Sequence, residues 1–292
     1  MTATVVALIV GSACIHATWN LLAKRAGSTT AFTAVLVWVA SIIYAPIVLV
    51  WWIFNQPTFG LVEIGVICVS AIFQVAYFVL LNRAYQAGDI SLVYPIARGS
   101  GPMFTVTGAV LLLGEQPSIV AILGVILIGI GVLVLSSKRR VNESEATPAG
   151  APHSTAIWLA LAVGISIASY SLWDKVAVTL RHIHPLLVNW GVNFGVSLAL
   201  LPYAVRHTSE IRAVWFNQRR AAVAVGLLNP LAYLIVLFAL TLSPVSSIAP
   251  MREISIVLGT LLGARVLHEP VGLRRFAGAC ILTAGVVSIA FG

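Results

Sequence analysis

Charge is what this chain has least of. Only 9% of its 292 residues are Asp, Glu, Lys or Arg, against 60% hydrophobic residues and a mean hydropathy of +1.01. A water-soluble globule carries about a quarter charged residues, so that class is excluded and an integral membrane protein is implied. Acidic residues are scarcer still, nine against 17 Lys and Arg. The net charge of +8 does not point to nucleic acid, because most basic residues fall in short connectors between apolar runs and none forms a patch interleaved with aromatics. Cysteine is rare as well: Cys14, Cys68 and Cys280 all lie in apolar runs without a CxxC partner, which supports neither a disulfide framework nor a zinc site. No G-x-x-x-x-G-K-[ST] and no H-E-x-x-H occurs, so direct ATP drive, a catalytic metal and a resident cofactor are not expected. Met1 to Ala13 has no basic leader and its apolar run continues to Leu22, which reads as a membrane helix rather than a cleaved signal.

What is present is a series of apolar stretches. A span needs about 20 apolar residues, and ten candidates fall at residues 3–23, 31–54, 61–86, 90–113, 117–136, 155–177, 186–205, 219–242, 245–266 and 273–291. The expected fold is all-α, with ten transmembrane helices. One extended polar connector, Ser137 to His153, falls in the middle. It divides the chain into a first five-helix unit at 1–136, a linker at 137–154 and a second five-helix unit at 155–292.

The two units read as copies. Arg98, Glu115, Gly124 and Gly131 recur as Arg252, Glu269, Gly278 and Gly285, each pair 154 residues apart. Pro46 with Pro202 and Tyr77 with Tyr233 are 156 apart, and Lys24 with Lys175 are 151 apart, drifts that insertions in connectors explain. Five is odd, so the second unit must enter the bilayer from the opposite side, giving an inverted repeat of the kind secondary transporters use. Connectors 1–2, 3–4, 5–6, 7–8 and 9–10, with their helix ends, hold thirteen basic residues, while the other side holds only Lys175 and Arg181. By the positive-inside rule the richer side is cytoplasmic and both termini lie outside.

Several short motifs stand out: His16-Ala-Thr-Trp19-Asn20-Leu-Leu-Ala-Lys24 in span 1, Tyr94-Pro95-Ile-Ala-Arg98-Gly-Ser-Gly-Pro102 in span 4, and Gly114-Glu115 before span 5. Ala249-Pro250-Met-Arg252 and His268-Glu269 echo them in the second half. With the ten-span duplication, these resemble the EamA type of the drug/metabolite transporter superfamily over nearly the whole chain, as two tandem domains. The resemblance implies a ten-helix permease that moves small polar or amphiphilic metabolites by alternating access, with its termini in the cytoplasm, the reverse of the charge count. The chain is also similar in plan to organellar sugar-phosphate carriers, in which basic residues of helices 4 and 9 hold the phosphate.

Arg98 and Arg252 lie about eight and seven residues into their spans, roughly 10–12 Å along a helix, too deep to snorkel comfortably. Inversion would bring both to the midplane, where two guanidinium groups can hold a carboxylate, phosphate or phosphonate. The bland alternative is that each ties down carbonyls freed by a neighbouring proline, or pairs with Glu253 or Asp174. Pro95, Pro102 and Pro250 are expected to break spans 4 and 9 at the site, whereas Pro46, Pro202 and Pro230 read as packing kinks. His16 and Asn20 are four apart and share a helix face. With Trp19, Tyr94, Tyr170, Trp173 and Asp174 they can line a polar cavity with aromatic walls, and His16 can titrate or simply be a hydrogen-bonded core residue. Gln74, Tyr77, Asn82, Asn189, Asn193, Asn229 and Tyr233 read first as interhelical hydrogen-bonding residues.

Glu115 and Glu269 read as structural caps of helix N-termini. The small-xxx-small faces Gly191 to Gly195 and Gly259 to Gly263 allow close helix approach within the fold or across a dimer, so monomer and homodimer both stay open. The expected partners are the bilayer and a small metabolite. The expectation is therefore a non-enzymatic secondary transporter of the cell membrane carrying a small, anionic metabolite, with neutral or amphiphilic cargo such as amino acids or drugs as the alternative. A lipid-modifying enzyme built on His16, Asp174 and Arg98 is a distant rival.

Overall fold

Backbone polar groups in hydrocarbon have no water to bond, so apolar runs of this length satisfy them internally as helices. The computed structural model describes residues 1–27, 29–88, 90–136, 153–267 and 273–291. Glu269 lies outside the described residues. Twelve helices follow in order: α1 (Ala3–Arg25), α2 (Thr30–Asn55), α3 (Leu61–Ala87), α4 (Ile90–Leu113), α5 (Ile119–Ser136), α6 (His153–Thr179), α7 (Pro185–Ala199), α8 (Leu201–Arg206), α9 (Thr208–Leu242), α10 (Val245–Met251), α11 (Ile254–Leu267) and α12 (Leu273–Phe291).

Among the described residues eight helical stretches are long and apolar enough to cross a membrane, two of them formed by α7 with α8 and by α10 with α11, and α5 and α12 supply two shorter apolar helices. Apolar side chains cover the outside as well as the inside: Ile42, Phe54, Leu61, Leu112 and Ile119 are all more than three-fifths exposed. Such a surface is stable against lipid and not against water.

Two expected spans are divided. Span 7 breaks at Leu200, and Pro202 sits in the first turn of α8, the one place where its missing N–H costs nothing. Span 9 breaks at Arg252 and Glu253, where α10 stops and α11 has not begun. Three bonds of the tighter i to i+3 type cross that junction: Glu253 N–H to Pro250 C=O (3.0 Å), Ser255 N–H to Arg252 C=O (3.1 Å) and Ile256 N–H to Glu253 C=O (2.9 Å). The expected break in span 4 is absent, because α4 runs unbroken through Pro95 and Pro102. A proline costs one hydrogen bond and fixes φ at a value helices already use. Between the two prolines the other bonds of α4 carry the helix on.

Residues 208–218, expected to be connector, are helical and form the start of the 35-residue α9. Glu210, Arg212, Arg219 and Arg220 interrupt the apolar run in sequence, but all four are exposed on the helix while Val214 between them is buried. At 1.5 Å per residue α9 is roughly 50 Å long, well beyond a hydrocarbon core of about 30 Å.

The halves interleave rather than standing side by side. Helix α1 packs along α9 and α11 of the other half, α6 packs along α3 and α4, α2 meets α9, and α7 meets α3. Each of these contacts has a counterpart with the halves exchanged: α4 on α6 corresponds to α11 on α1, and α3 on α6 to α9 on α1. Three of the repeated glycines, Gly124, Gly131 and Gly285, sit where α5 packs along α12. A Cβ on Gly124 would lie 2.7 Å from the Gly285 carbonyl oxygen, one on Gly285 2.6 Å from that of Gly124, and one on Gly131 2.6 Å from the Leu282 nitrogen. Gly191 and Gly195 face Ile67 and Ala71 of α3 in the same way, whereas Gly259 has open space.

Replacing Gly285 by alanine is expected to force α5 and α12 apart and destabilise the protein by about 1–3 kcal/mol. Gly259→Ala, with no neighbour to strike, is expected to be neutral or stabilising by up to about 1 kcal/mol. Thermal unfolding of the two variants in the same detergent checks the contrast.

Candidate functional site

The break in span 9 presents two adjacent side chains of opposite charge. Glu253 reaches Arg98 of α4, its Oε2 lying 3.4 Å from the arginine Nε. Arg252 turns the other way and places its guanidinium carbon 5.3 Å from the centre of the Tyr233 ring of α9, within cation–π range. Among the described residues no carboxylate lies within ion-pair distance of Arg252.

Tyr233 continues the chain of contacts. Its hydroxyl donates to Oδ2 of Asp174, and the Ser70 hydroxyl of α3 donates to Oδ1 of the same carboxylate. Asp174 is fully buried, so these two donors replace the water it has lost. The aromatic wall follows, with ring centres 6.3 Å apart between Tyr170 and Tyr233 and 6.2 Å between Tyr77 and Tyr170, both edge to face. Trp173 packs edge to face on Phe73 and donates its Nε1–H to the Val66 carbonyl at 2.8 Å.

Other expected residues fall in or near this cluster. His16 lies within electrostatic reach of both Arg98 and Arg252, and its ring meets Trp19 edge to face at 4.8 Å. The indole N–H of Trp19 is buried without a partner among the described residues. Tyr94 stands one turn before Arg98 on α4, within electrostatic reach of its guanidinium. Asn20, by contrast, is exposed and spends its amide on the His16 carbonyl one turn back, at 2.8 Å. The structure therefore brings Arg98, Arg252, Asp174, Tyr170, Tyr94 and His16 together and leaves Asn20 outside.

Four contributors are weakly marked in the amino-acid order. Glu253 stood there only as a pairing partner, Tyr233 and Tyr77 as generic hydrogen-bonding residues, and Ser70 not at all. The signal for Tyr77 and Tyr233 was their repeat spacing. Ser70 gave none beyond being a small polar residue in an apolar span. Asn189 does take the interhelical role, donating to the Pro230 carbonyl at 3.2 Å.

Glu115 is a cap, but not of its own helix. Ser118 caps α5, its hydroxyl accepting from the Ala121 N–H at 3.0 Å. Glu115 instead crosses to the second half and accepts from the Val245 and Ser246 N–H groups, both at 2.9 Å, which open α10. The carboxylate reaches α10 because the connector residues 114–118 lie between α4 and α5 without being helical. From the other side of the same turn, Lys175 donates to the Leu240 and Ser243 carbonyls at 2.7 and 2.9 Å. The α9–α10 turn is thus held at its free N–H groups by an anion and at its free carbonyls by a cation, the pairing that helix dipoles favour at both ends. The seven residues of α10 connect this clamp directly to Arg252.

Two measurements test these contacts. Glu253→Gln leaves Arg98 buried without its counter-ion and is expected to cost about 3 kcal/mol, while adding Arg98→Gln restores much of the loss; thermal unfolding in a bilayer mimetic reads both. Glu115→Gln keeps one acceptor but loses the charge, and amide exchange across residues 243–248 is expected to quicken about tenfold or more, read by hydrogen–deuterium exchange.

The EamA-like transporter family matches this chain twice, over residues 3–137 and 154–291. No curated protein matches it. A crystal structure of a protein shares its fold across 100% of this chain and 98% of its own, with a TM-score of 0.77 at 15% sequence identity.

Proposed function

Because this chain belongs to the EamA-like transporter family, whose members are multi-pass membrane transporters and not enzymes, we propose that it is a secondary carrier moving a small anionic metabolite across the cell membrane by alternating access. The observation that carries the anion is Arg252. It is a cation in the membrane interior, held against the face of Tyr233 and without a carboxylate partner among the described residues. A bare guanidinium at that depth costs about 2.5–3.5 kcal/mol on insertion scales, and a bound carboxylate or phosphate repays that cost with paired, charge-assisted hydrogen bonds. Arg98 is the second binding group. Its charge is shared with Glu253, so it contributes when the substrate draws the pair apart. Tyr170, Tyr94, His16, Trp19 and Trp173 shape the remaining surface, and Asp174 fixes Tyr233 beneath Arg252.

Alternating access rests on an inverted repeat of the units 1–136 and 155–292. Its support is the exchange-related packing of the helices and the reciprocal seating of Gly124 and Gly285 on each other's carbonyls. The clamp of Glu115 and Lys175 on the α9–α10 turn is the contact that closes one mouth, and its release lets α10 carry Arg252 with it. Pro250 belongs to this hinge, since the chain leaves regular helix immediately after it.

A second reading has its own support. Arg98 is paired with Glu253, the Asp174 carboxylate lies behind Tyr233, and the walls are aromatic, so the cluster holds two cations and two carboxylates. A substrate of zero net charge, such as an amino acid or an amphiphilic drug, fits that balance.

Thermal-shift screening of the purified protein against carboxylates, phosphates, phosphonates and amino acids separates the readings, since a ligand of the folded state raises its melting temperature. An anion is expected to stabilise the parent, to lose that effect in Arg252→Gln and to lose part of it in Arg98→Gln. Uptake of the same compound into proteoliposomes must fall in the same order. Normal uptake by both variants eliminates the anion reading.

A further inference from the structure

A second basic region lies outside the central cluster. Where α1 ends against α9, a crevice of about 660 Å³ opens between Leu22, Arg25 and Ala26 on one side and the stretch from Phe216 to Ala221 on the other. Three arginines, Arg25, Arg219 and Arg220, line it together with the apolar Leu22 and Phe216. Arg219 and Arg220 are exposed. The side-chain oxygen of Gln218, also in the lining, is buried without a hydrogen-bond partner among the described residues.

The position is a bilayer boundary. The crevice is formed by the last turn of α1 and by the point where α9, too long for the hydrocarbon, passes out of the span expected from residue 219 onward. Trp215 and Phe216 sit at that same level and are 43% and 75% exposed, the placement of interfacial aromatic residues. The region also belongs to the face that carries most of the chain's basic residues, the face the positive-inside rule assigns to the cytoplasmic, anionic leaflet.

From this combination we infer that the crevice binds the headgroup of an anionic phospholipid. The phosphate lies among Arg25, Arg219 and Arg220, a headgroup hydroxyl donates to the Gln218 oxygen, and an acyl chain runs over Leu22 and Phe216. Those apolar walls favour a lipid over a free phosphate, which would leave them wet. Basic pockets between membrane helices take lipid headgroups on the same physical grounds. No residue is shared with the central cluster, so the outcome here is independent of the transport reading.

The test uses the full chain in neutral detergent, with phosphatidylglycerol or phosphatidylcholine added and bound lipid counted by native mass spectrometry. Arg219→Gln/Arg220→Gln is expected to lower retained phosphatidylglycerol about tenfold or more, leaving phosphatidylcholine unchanged. Arg206→Gln/Arg212→Gln removes the same charge outside the crevice and is expected to change little. Leu22→Trp fills the crevice with its arginines intact and is expected to expel phosphatidylglycerol too, so the test stands even if the arginine variant fails to fold. The inference is overturned if both arginine pairs lower binding equally, which is diffuse attraction. It is overturned equally if glycerol 3-phosphate displaces the lipid at matching concentration, which marks a soluble-anion site, or if Leu22→Trp retains the lipid.

Discussion

A guanidinium inside a membrane has to be matched by something, and in this protein the matching of two of them organises the centre of the fold. Arg98 is met by a carboxylate at 3.4 Å and Arg252 by an aromatic face. Neither partner belongs to the arginine's own helix, so each match fixes one helix against another: α4 against the α10–α11 junction, and that junction against α9. The Asp174 carboxylate then ties α9 to α3 and α6 through Tyr233 and Ser70. Few hydrophobic contacts could impose so definite a relation, because lipid solvates an apolar side chain as well as another helix does.

The break at Arg252 and Glu253 makes the double match possible. On a continuous helix, neighbouring residues point about 100° apart around one axis. In the tightened turn between α10 and α11, Arg252 faces Tyr233 and the next residue, Glu253, faces Arg98. The short α10 is in turn held at its far end by Glu115 and Lys175. A seven-residue helix with charged contacts at both ends is a small lever, and its two ends are the proposed binding group and the proposed closure.

Much of this was legible in the amino-acid order. The apolar runs located the membrane helices to within a few residues except at the start of α9, and the recurrence of Arg98, Glu115, Gly124 and Gly131 marked the duplication. Helix continuity was less legible. Pro95 and Pro102 suggested a break that α4 does not make, and the charged stretch before residue 219 suggested a loop where α9 is already helical. Proline and charge report only local cost, while continuity depends on whether neighbouring bonds and an exposed face absorb it. The partner of Glu115 was also invisible, since it lies 130 residues away and one helix N-terminus attracts a carboxylate as well as another.

Amino-acid order alone places this chain in a membrane, marks it as a doubled unit and sets two arginines within apolar runs. Those properties are sums over local hydrophobicity and spacing. Helix packing chooses which arginine is paired with a carboxylate and which faces an aromatic ring, which tyrosine holds Asp174, and which helix Glu115 caps. Each of those outcomes depends on the relative placement of helices far apart in the chain, and electrostatic pairing acts over a few ångströms that no spacing rule can supply.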